Sequence, residues 1–150
     1  MKKIIFSIAT LFVSIKSFSQ WTYKSVNNGF DEPYTIAYTT TNNKAILKLE
    51  NVDGDIFFYI QGGYYCDDKP LVDFIFMVNG QSIKFTREAI KNDKDNVVFF
   101  TSDLINSDFY EPFKKCTSLK IRINETYCDN ETYIFNMSKS TIALNSVINQ

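Results

Sequence analysis

The chain has 150 residues, of which 45% are hydrophobic and 22% are charged, with 16 basic against 17 acidic side chains and no histidine. This length and apolar content exclude a disordered chain and predict a single globular domain. The near balance of charge also excludes the basic excess of a typical nucleic-acid-binding domain.

The first 19 residues have the three parts of a secretory signal peptide. Two lysines supply the positively charged start, residues 4–15 the apolar segment, and residues 17–19 a small-residue cleavage site. The apolar run is about a dozen residues, short of the ~20 that span a bilayer. We therefore expect cleavage after residue 19 and export of a mature domain, residues 20–150, with no membrane anchor. Cleavage leaves 13 basic and 17 acidic side chains, a net charge of −4, which disfavours nucleic acid as a partner.

Alternating and continuous apolar segments recur through the mature chain and predict eight β-strands. The clearest is Leu119 to Asn124, where three apolar residues face one side and three polar residues the other. Four segments alternate more weakly: 34–41, 45–50, 83–86 and 132–137. Three are nearly continuous apolar runs, typical of strands covered on both faces: 56–60, 71–78 and 97–100. Eight strands at intervals of roughly ten residues predict an all-β fold, an antiparallel β-sandwich.

Three residue pairs predict tight turns between these strands. Asn79-Gly80 is the strongest hairpin signal, because both residue types tolerate the positive φ of a type I′ turn. Asn42-Asn43 and Asp53-Gly54 belong to the same class. The segment 51–55 has oxygen-bearing side chains at alternate positions, as a calcium loop does. The residue that follows this segment is Ile56, where the calcium loop of an EF-hand requires glycine. We therefore interpret the segment as a turn.

Helix is predicted at two places only. Ser102-Asp103 can cap one or two helical turns, but Pro112 argues against a long helix there, so residues 102–116 are predicted to cross between two sheets. Ser138 or Ser140 can cap a short C-terminal helix. The apolar residues of that helix recur at helical spacing: Ile142, Leu144, Val147 and Ile148.

The three cysteines predict one disulfide, because an exported chain folds in an oxidising compartment. If Asn79-Gly80 closes a hairpin, Cys66 lies at the opposite end of the sheet. If the crossover then leads to the turn end, Cys116 lies there and Cys128 returns to the end that holds Cys66. We therefore predict a Cys66–Cys128 bridge, whose loop of about 60 residues contributes ~4 kcal/mol in the chain-entropy account, with Cys116 left as a buried or spare thiol. A Cys116–Cys128 pair is the alternative and requires a different crossover.

The absence of histidine excludes several catalytic and metal-binding arrangements. Histidine-activated nucleophiles, histidine acid–base catalysis and histidine-ligated zinc are all excluded, and three dispersed cysteines do not form a zinc site. Asp73 is the one carboxylate that interrupts an apolar strand. Its functional interpretation is a perturbed general acid, and the simpler one is an outward position paired with a lysine or arginine on a neighbouring strand. We expect no enzymatic activity, no cofactor and no metal.

Gly62, Gly63, Tyr64 and Tyr65 form the most distinctive loop. Glycines beside two tyrosines at the end of a sandwich can form a platform for a sugar or a peptide. Alternatively, the tyrosines cover the neighbouring disulfide and the glycines only turn the chain. These four residues are the candidate binding site.

A series of short strand patterns spans most of the mature chain: Trp21, Phe30-Asp31, Leu47-Lys48-Leu49, Val72-Asp73-Phe74, Asn79-Gly80, Leu119 to Ile123, Ile134 to Met137 and Ala143-Leu144. In this order they resemble the small periplasmic β-sandwich proteins, which include the type VI secretion accessory VasI-like family and the invasion-associated locus B group. The resemblance implies a periplasmic β-sandwich and carries over no catalytic residue.

These features predict an exported, non-enzymatic binding or accessory protein of a bacterial envelope, periplasmic or extracellular. The expected partner is another protein, with a glycan as the alternative and a carboxylate-dependent hydrolase as the third possibility. An exposed edge strand with few charges favours a protein partner through strand addition. A coplanar aromatic strip that includes Tyr64 or Tyr65 favours a glycan, and two carboxylates ~5–9 Å apart in a cleft favour a hydrolase.

Overall fold

The structure is a computed structural model that describes residues 21–27, 29, 33–42, 44–101 and 107–148. The predicted signal peptide, residues 1–19, and the helical turn predicted after Ser102 lie outside the described residues, and so does Asn43 of the predicted Asn42-Asn43 turn. Within the described ranges, no helix has the length and apolar character needed to cross a membrane.

The described residues form ten β-strands and two α-helices. The strands are β1 Thr22–Val26, β2 Tyr34–Thr40, β3 Ile46–Val52, β4 Asp55–Gln61, β5 Leu71–Val78, β6 Gln81–Glu88, β7 Ile90–Asn92, β8 Val97–Phe100, β9 Ser118–Asn124 and β10 Glu131–Asn136. The helices are α1 Ser107–Lys115 and α2 Ser140–Ile148. All eight predicted strands are present, and β1 and β7 are additional.

The strands form two antiparallel sheets. The larger has the order β1-β2-β3-β4-β8-β7 and the smaller the order β10-β9-β5-β6. The predicted all-β, antiparallel sandwich is therefore confirmed. The chain passes from β8 in the larger sheet to β9 in the smaller one with α1 between them, which is the predicted crossover.

Two of the predicted turns have the backbone conformation that their residues favour. Asn79 and Gly80 have φ values of 50° and 78°, and Asp53 and Gly54 have φ values of 55° and 91°. Positive φ at both central residues is the signature of a type I′ hairpin. The Asn79-Gly80 turn joins β5 to β6, and the Asp53-Gly54 turn joins β3 to β4.

Aromatic rings from both sheets and from α1 fill the space between the sheets. Phe58 of the larger sheet lies 6.0 Å from Phe74 of the smaller sheet, in an edge-to-face arrangement. Phe109 of α1 contacts both, with ring centroids 5.6 Å from Phe58 and 5.1 Å from Phe74. Each buried ring contributes about 1.5–3 kcal/mol by its removal from water, and edge-to-face pairs add ~0.5–1.5 kcal/mol.

Helix α1 corrects the expectation that Pro112 prevents a helix of this length. The helix runs from Ser107 to Lys115 with Pro112 inside it. Proline removes one intrahelical hydrogen bond, here the bond to the Asp108 carbonyl. The two phenylalanines Phe109 and Phe113, each 1% exposed, anchor the helix in the core, and their burial offsets that loss.

Helix α2 confirms the predicted C-terminal helix and packs its apolar side into the core. Ala143, Leu144 and Val147 are buried. Of the predicted apolar residues, Ile142 and Ile148 are exposed, so the prediction was wrong for these two positions. Ser140, one of the two predicted caps, uses its hydroxyl differently, because it donates to the Phe113 carbonyl of α1 at 2.8 Å. This bond joins the C-terminal end of α1 to the N-terminal end of α2.

Candidate functional site

The Cys66–Cys128 disulfide joins the loop before β5 to the loop before β10. The two Cα atoms are 6.0 Å apart, and the structure confirms the predicted pairing. Cys116 is a free, buried cysteine, and burial raises the pKa of its thiol to about 12. Burial and a raised pKa are typical of a structural cysteine and not of a reactive one.

Two carboxylates hold the disulfide-linked loops together. Glu125 Oε2 accepts hydrogen bonds from the backbone N–H groups of Cys66 at 3.2 Å and Asp67 at 2.8 Å. In return, Asp67 Oδ2 accepts from the Thr126 N–H at 2.7 Å. The other oxygen of each carboxylate is buried and has no hydrogen-bond partner in the described part of the chain. Across the same residues, no cluster of three or more Cys, Asp or Glu side chains could hold a metal ion.

The candidate loop separates its two tyrosines. Tyr64 is 73% exposed, whereas Tyr65 is completely buried. The Tyr65 hydroxyl accepts from the Gly63 N–H and lies 3.3 Å from the hydroxyl of Tyr133 on β10. Burial raises the pKa values of both tyrosines of this pair. Tyr65 therefore packs inside the end of the sandwich, and Tyr64 alone presents its ring to solvent.

Each of the two glycines of this loop is required for a different structural reason. Gly62 has a φ of 138°, which side chains rarely adopt, and a Cβ there would lie 2.6 Å from the Ala45 Cα. A Cβ on Gly63 would collide with the Tyr133 hydroxyl. Both positions require glycine for close packing of the loop on the sheet. Of the four loop residues, Gly62 and Tyr64 are exposed, and Tyr64 is the one with a side chain to offer a ligand.

Asp73 is an outward-facing carboxylate on β5, as the simpler interpretation predicts. It accepts hydrogen bonds from the Asn124 side chain at 2.9 Å and the Thr86 hydroxyl at 2.7 Å. The Arg122 Nε atom lies 3.7 Å away. The bonds from Asn124 and Thr86, with a smaller effect of Arg122, lower the pKa of Asp73. Asp73 is therefore ionised at neutral pH and has no proton to donate as a general acid.

The outer face of the larger sheet carries an aromatic cluster that was not predicted from the sequence. Phe57, Tyr59 and Phe99 are half-buried, with ring centroids 5.8–6.2 Å apart. The Lys48 ammonium lies 4.0 Å from the Tyr59 ring centre and 2.8 Å from Glu50. Burial, together with Glu50, raises the pKa of Tyr59 to about 12. The nearly continuous apolar runs 56–60 and 97–100 predict strands covered on both faces. On the outer face of the larger sheet, the rings of Phe57, Tyr59 and Phe99 shield one another from solvent instead.

The four free edges of the two sheets differ in charge. In the larger sheet the edges are β1, which contains Lys24, and β7, which contains Lys91. In the smaller sheet the β6 edge contains Lys84 and Arg87. The β10 edge has no basic side chain, and Glu131 at its start is its only charge. Charged residues, lysine above all, hinder the pairing of an edge with another chain. Among the edges of the described chain, β10 is the least protected.

Three residues of β10 direct their backbone groups away from β9. The Met137 N–H donates to the Thr117 carbonyl at 3.0 Å, which continues the register between β10 and β9. Alternate residues of an antiparallel strand direct their N–H and C=O groups to opposite sides. The groups of Thr132, Ile134 and Asn136 therefore point to the free edge, where no described strand pairs with them.

A groove runs along this free edge, and we call it the β10 groove. Its cavity volume is 590 Å³. It is lined by Thr132, Ile134 and Asn136 of β10 and by residues 40–42, at the end of the β2–β3 hairpin. The remaining lining residues are Thr117, Ser118, Tyr133 and Phe135. Its described lining residues offer hydroxyl and amide groups and apolar surface, and none of them is charged.

No protein family model matches this chain, and neither the curated proteins nor the solved structures include one that is significantly similar to it. The assignment of a site therefore depends on the geometry of the molecule. Of the predicted site residues, the structure brings Gly63 and Tyr65 against Tyr133 of β10 and leaves Tyr64 exposed. The β10 groove was not predicted, although the low charge of residues 131–136 was its signal in the sequence.

Proposed function

We propose that this protein is an exported, non-enzymatic binding protein of a bacterial envelope that captures an extended segment of a partner protein in the β10 groove. Export is supported by the sequence of residues 1–19 and agrees with the disulfide, since such bridges persist in oxidising compartments. The resemblance to periplasmic β-sandwich proteins points to the same compartment.

The observation that carries the proposal is the free edge of β10. Thr132, Ile134 and Asn136 present N–H and C=O groups at intervals of about 7 Å, which is the spacing that another strand requires. An added strand gains affinity from main-chain hydrogen bonds and specificity from pockets for its alternate side chains. Residues 40–42 also line the groove and offer hydroxyl and amide groups to an added strand.

A photo-crosslinking experiment in the bacterium of origin tests this proposal. A photoreactive residue at Thr132 is combined with Ile134→Pro or with Ile134→Val. Proline removes the N–H that points to the free edge and leaves the bonds to β9 intact, because the Ile134 groups face away from β9. We expect one crosslinked partner in the Ile134→Val chain and none in the Ile134→Pro chain.

Two outcomes of that experiment contradict the proposal. A crosslink that survives Ile134→Pro shows that backbone pairing is not the mode of binding. A crosslink only to a second copy of this chain shows that β10 mediates self-association, which sedimentation of the purified protein confirms or rejects. A photoreactive residue at Lys94, exposed on the β7–β8 loop, serves as the matched control for proximity alone.

Glycan binding at the disulfide-linked loops is the second candidate function. Tyr64 is 73% exposed and Tyr127 is 84% exposed, and the Cys66–Cys128 bridge joins the two loops that carry them. Exposed tyrosine rings on rigid loops can stack on sugar rings. Calorimetry with chitohexaose and maltohexaose tests this candidate. The candidate is supported if the parent binds a sugar, the double variant Tyr64→Ala with Tyr127→Ala does not, and the control Tyr23→Ala still does. It is contradicted if the parent does not bind, or if the double variant and the control lose binding equally.

A further inference from the structure

The outer face of the smaller sheet concentrates three basic side chains. In the register, Lys120 of β9 and Lys84 of β6 lie on either side of Ile75 of β5. Arg122 lies one outward position further along β9, beside Asp73. These residues and Thr86 surround a depression with a volume of 300 Å³. We call this surface the basic face.

The positive charge of the basic face is only partly balanced. Asp73 is the one carboxylate among the described residues that line the depression. It is already bound by Asn124 and Thr86 and lies 3.7 Å from the Arg122 Nε atom. Lys84 and Lys120 form no ion pair with any residue that the structure describes. The three cations against one anion leave a local excess of two positive charges.

This excess is a local property and not a consequence of composition. The mature chain has 13 basic and 17 acidic residues. Five other lysines pair with carboxylates: Lys48, Lys69, Lys91, Lys114 and Lys115. The mature chain has more acidic than basic side chains, but two lysines on the basic face are unpaired. Their positive charge lowers the free energy of an anion that approaches this face.

The geometry suits a group with several anionic oxygen atoms. Neighbouring strands lie about 4.8 Å apart, so Lys84 and Lys120 emerge ~10 Å from one another, and their long side chains can converge over Ile75. The Arg122 Nε atom bonds the Asn124 side chain at 2.8 Å, and this fixes the plane of the guanidinium group. Arginine and lysine together are well matched to the oxygen atoms of sulfate or phosphate esters.

We propose that the basic face binds an anionic polysaccharide through the sulfate or phosphate ester groups that it carries. The depression receives one ester group with part of its sugar ring, and the open sheet surface around it lets the rest of a polymer continue past. The three basic side chains stand around an aliphatic floor, Ile75, and no aromatic ring lines the depression. Nucleic-acid single strands bind largely by stacking on such rings, and this favours a polysaccharide as the occupant.

The basic face and the β10 groove are neighbours that can be tested separately. Ile134 of β10 lies opposite Lys120 in the register, so both sites are on the same sheet. The proposed anion contacts are side-chain charges, whereas the proposed partner contacts are backbone groups. Ile134→Pro is therefore expected to abolish the protein crosslink and to leave polysaccharide binding unchanged.

Binding of dextran sulfate to the folded, disulfide-bonded mature protein tests the inference. Fluorescence anisotropy with labelled dextran sulfate is compared with uncharged dextran of the same length, with phosphorylated dextran and with single-stranded DNA. The test variant carries Lys84→Glu and Lys120→Glu, and the matched control carries Lys24→Glu and Lys94→Glu, which changes the net charge by the same amount at exposed positions elsewhere. Near-ultraviolet circular dichroism verifies that each variant is folded.

We expect dextran sulfate or phosphorylated dextran to bind, and the preferred one identifies the ester. The Kd increases about tenfold or more in the test variant and less than about twofold in the control, and added salt weakens binding. Lys120→Arg retains binding, because the charge is kept. The inference is overturned if neither charged dextran binds more tightly than uncharged dextran, if the control variant loses binding equally, or if DNA binds as tightly as the charged dextrans.

Discussion

The two edge strands of the smaller sheet, β6 and β10, differ in how far charged side chains protect their free backbone groups from pairing with another strand. On β6, Lys84, Arg87 and Glu88 are charged, and the Arg87 guanidinium donates to the carbonyl of its neighbour Thr86 at 2.9 Å. On β10 the free backbone groups border an uncharged groove. Strand edges that serve no partner are usually blocked by charge. This difference is the one that the proposed pairing of β10 with a partner segment requires.

The two edges are also anchored differently. Phe85 of β6 packs against Phe76 and Phe109 in the core, with ring centroids 5.8 and 6.2 Å away. At β10, Tyr133 bonds Tyr65, and the disulfide ties down the loop that precedes the strand. A strand that receives a partner must hold its position when force is applied along its edge. The covalent and buried contacts at β10 meet that requirement.

The largest expected effect distinguishes the two sides of β10. Phe135→Pro removes an N–H that bonds β9 and a fully buried ring, so we expect a loss of about 5 kcal/mol in the free energy of unfolding. Ile134→Pro removes only a free-edge N–H and is expected to cost about 1 kcal/mol or less. Urea denaturation measures both. Equal losses in the two variants contradict the assignment of the free edge.

Removal of the disulfide is expected to have the next largest effect. Cys66→Ser with Cys128→Ser eliminates a bridge with a sequence separation of 62 residues, and we expect a loss of ~4 kcal/mol. Cys116→Ser at the buried free thiol is the control and is expected to cost about 1–3 kcal/mol. Thermal melting of the three proteins, with near-ultraviolet spectra, measures this. If the double variant is as stable as the parent, the bridge does not anchor β10.

Acid stability tests the carboxylate that lies between the two edges. The pKa of Asp73 is lower in the folded than in the unfolded state, chiefly through the bonds from Asn124 and Thr86. Its contribution is therefore complete above the unfolded pKa, about 4, and is lost as the pH falls through the folded pKa. Asp73→Asn is expected to flatten the stability profile below pH ~4 and to cost about 1 kcal/mol at pH 7. An unchanged slope in acid contradicts the assigned bonds.

Local chemistry is the part of this molecule that the sequence predicts well. The Asn79-Gly80 and Asp53-Gly54 turns follow from the positive φ that their residues accept. The Asn79-Gly80 hairpin, with the predicted crossover, places Cys66 and Cys128 at the same end of the sheet. Strand β1 was not predicted because four of its five side chains are exposed, so it has no alternation of apolar residues. It is a strand because β2 offers it hydrogen bonds.

The candidate site was harder to predict because it depends on contacts between distant parts of the chain. Tyr64 and Tyr65 are adjacent and identical in type, and only the position of Tyr133 decides which of them is buried. Likewise, the segment 131–136 has a recognisable strand pattern, but its position at an edge follows from the strand order β10-β9-β5-β6. Neither the burial nor the edge position is encoded in the neighbouring residues.

The smallest effect on stability, and the sharpest test of the comparison, comes from removal of the charges on the β6 edge. Lys84→Ile with Arg87→Val makes this strand as uncharged as β10 along its length, apart from Glu88 at its end. Both positions are at a surface edge, so we expect a change within about 0.5 kcal/mol in the free energy of unfolding. The bond that blocks the Thr86 carbonyl is also removed, and an open, β-branched edge pairs with a second copy of itself.

Sedimentation velocity is expected to show concentration-dependent dimers that the parent lacks, and Ile134→Lys on β10 is the control that adds charge instead. If the variant stays monomeric, charge is not what separates the two edges, and the lack of charge on β10 no longer argues for a partner.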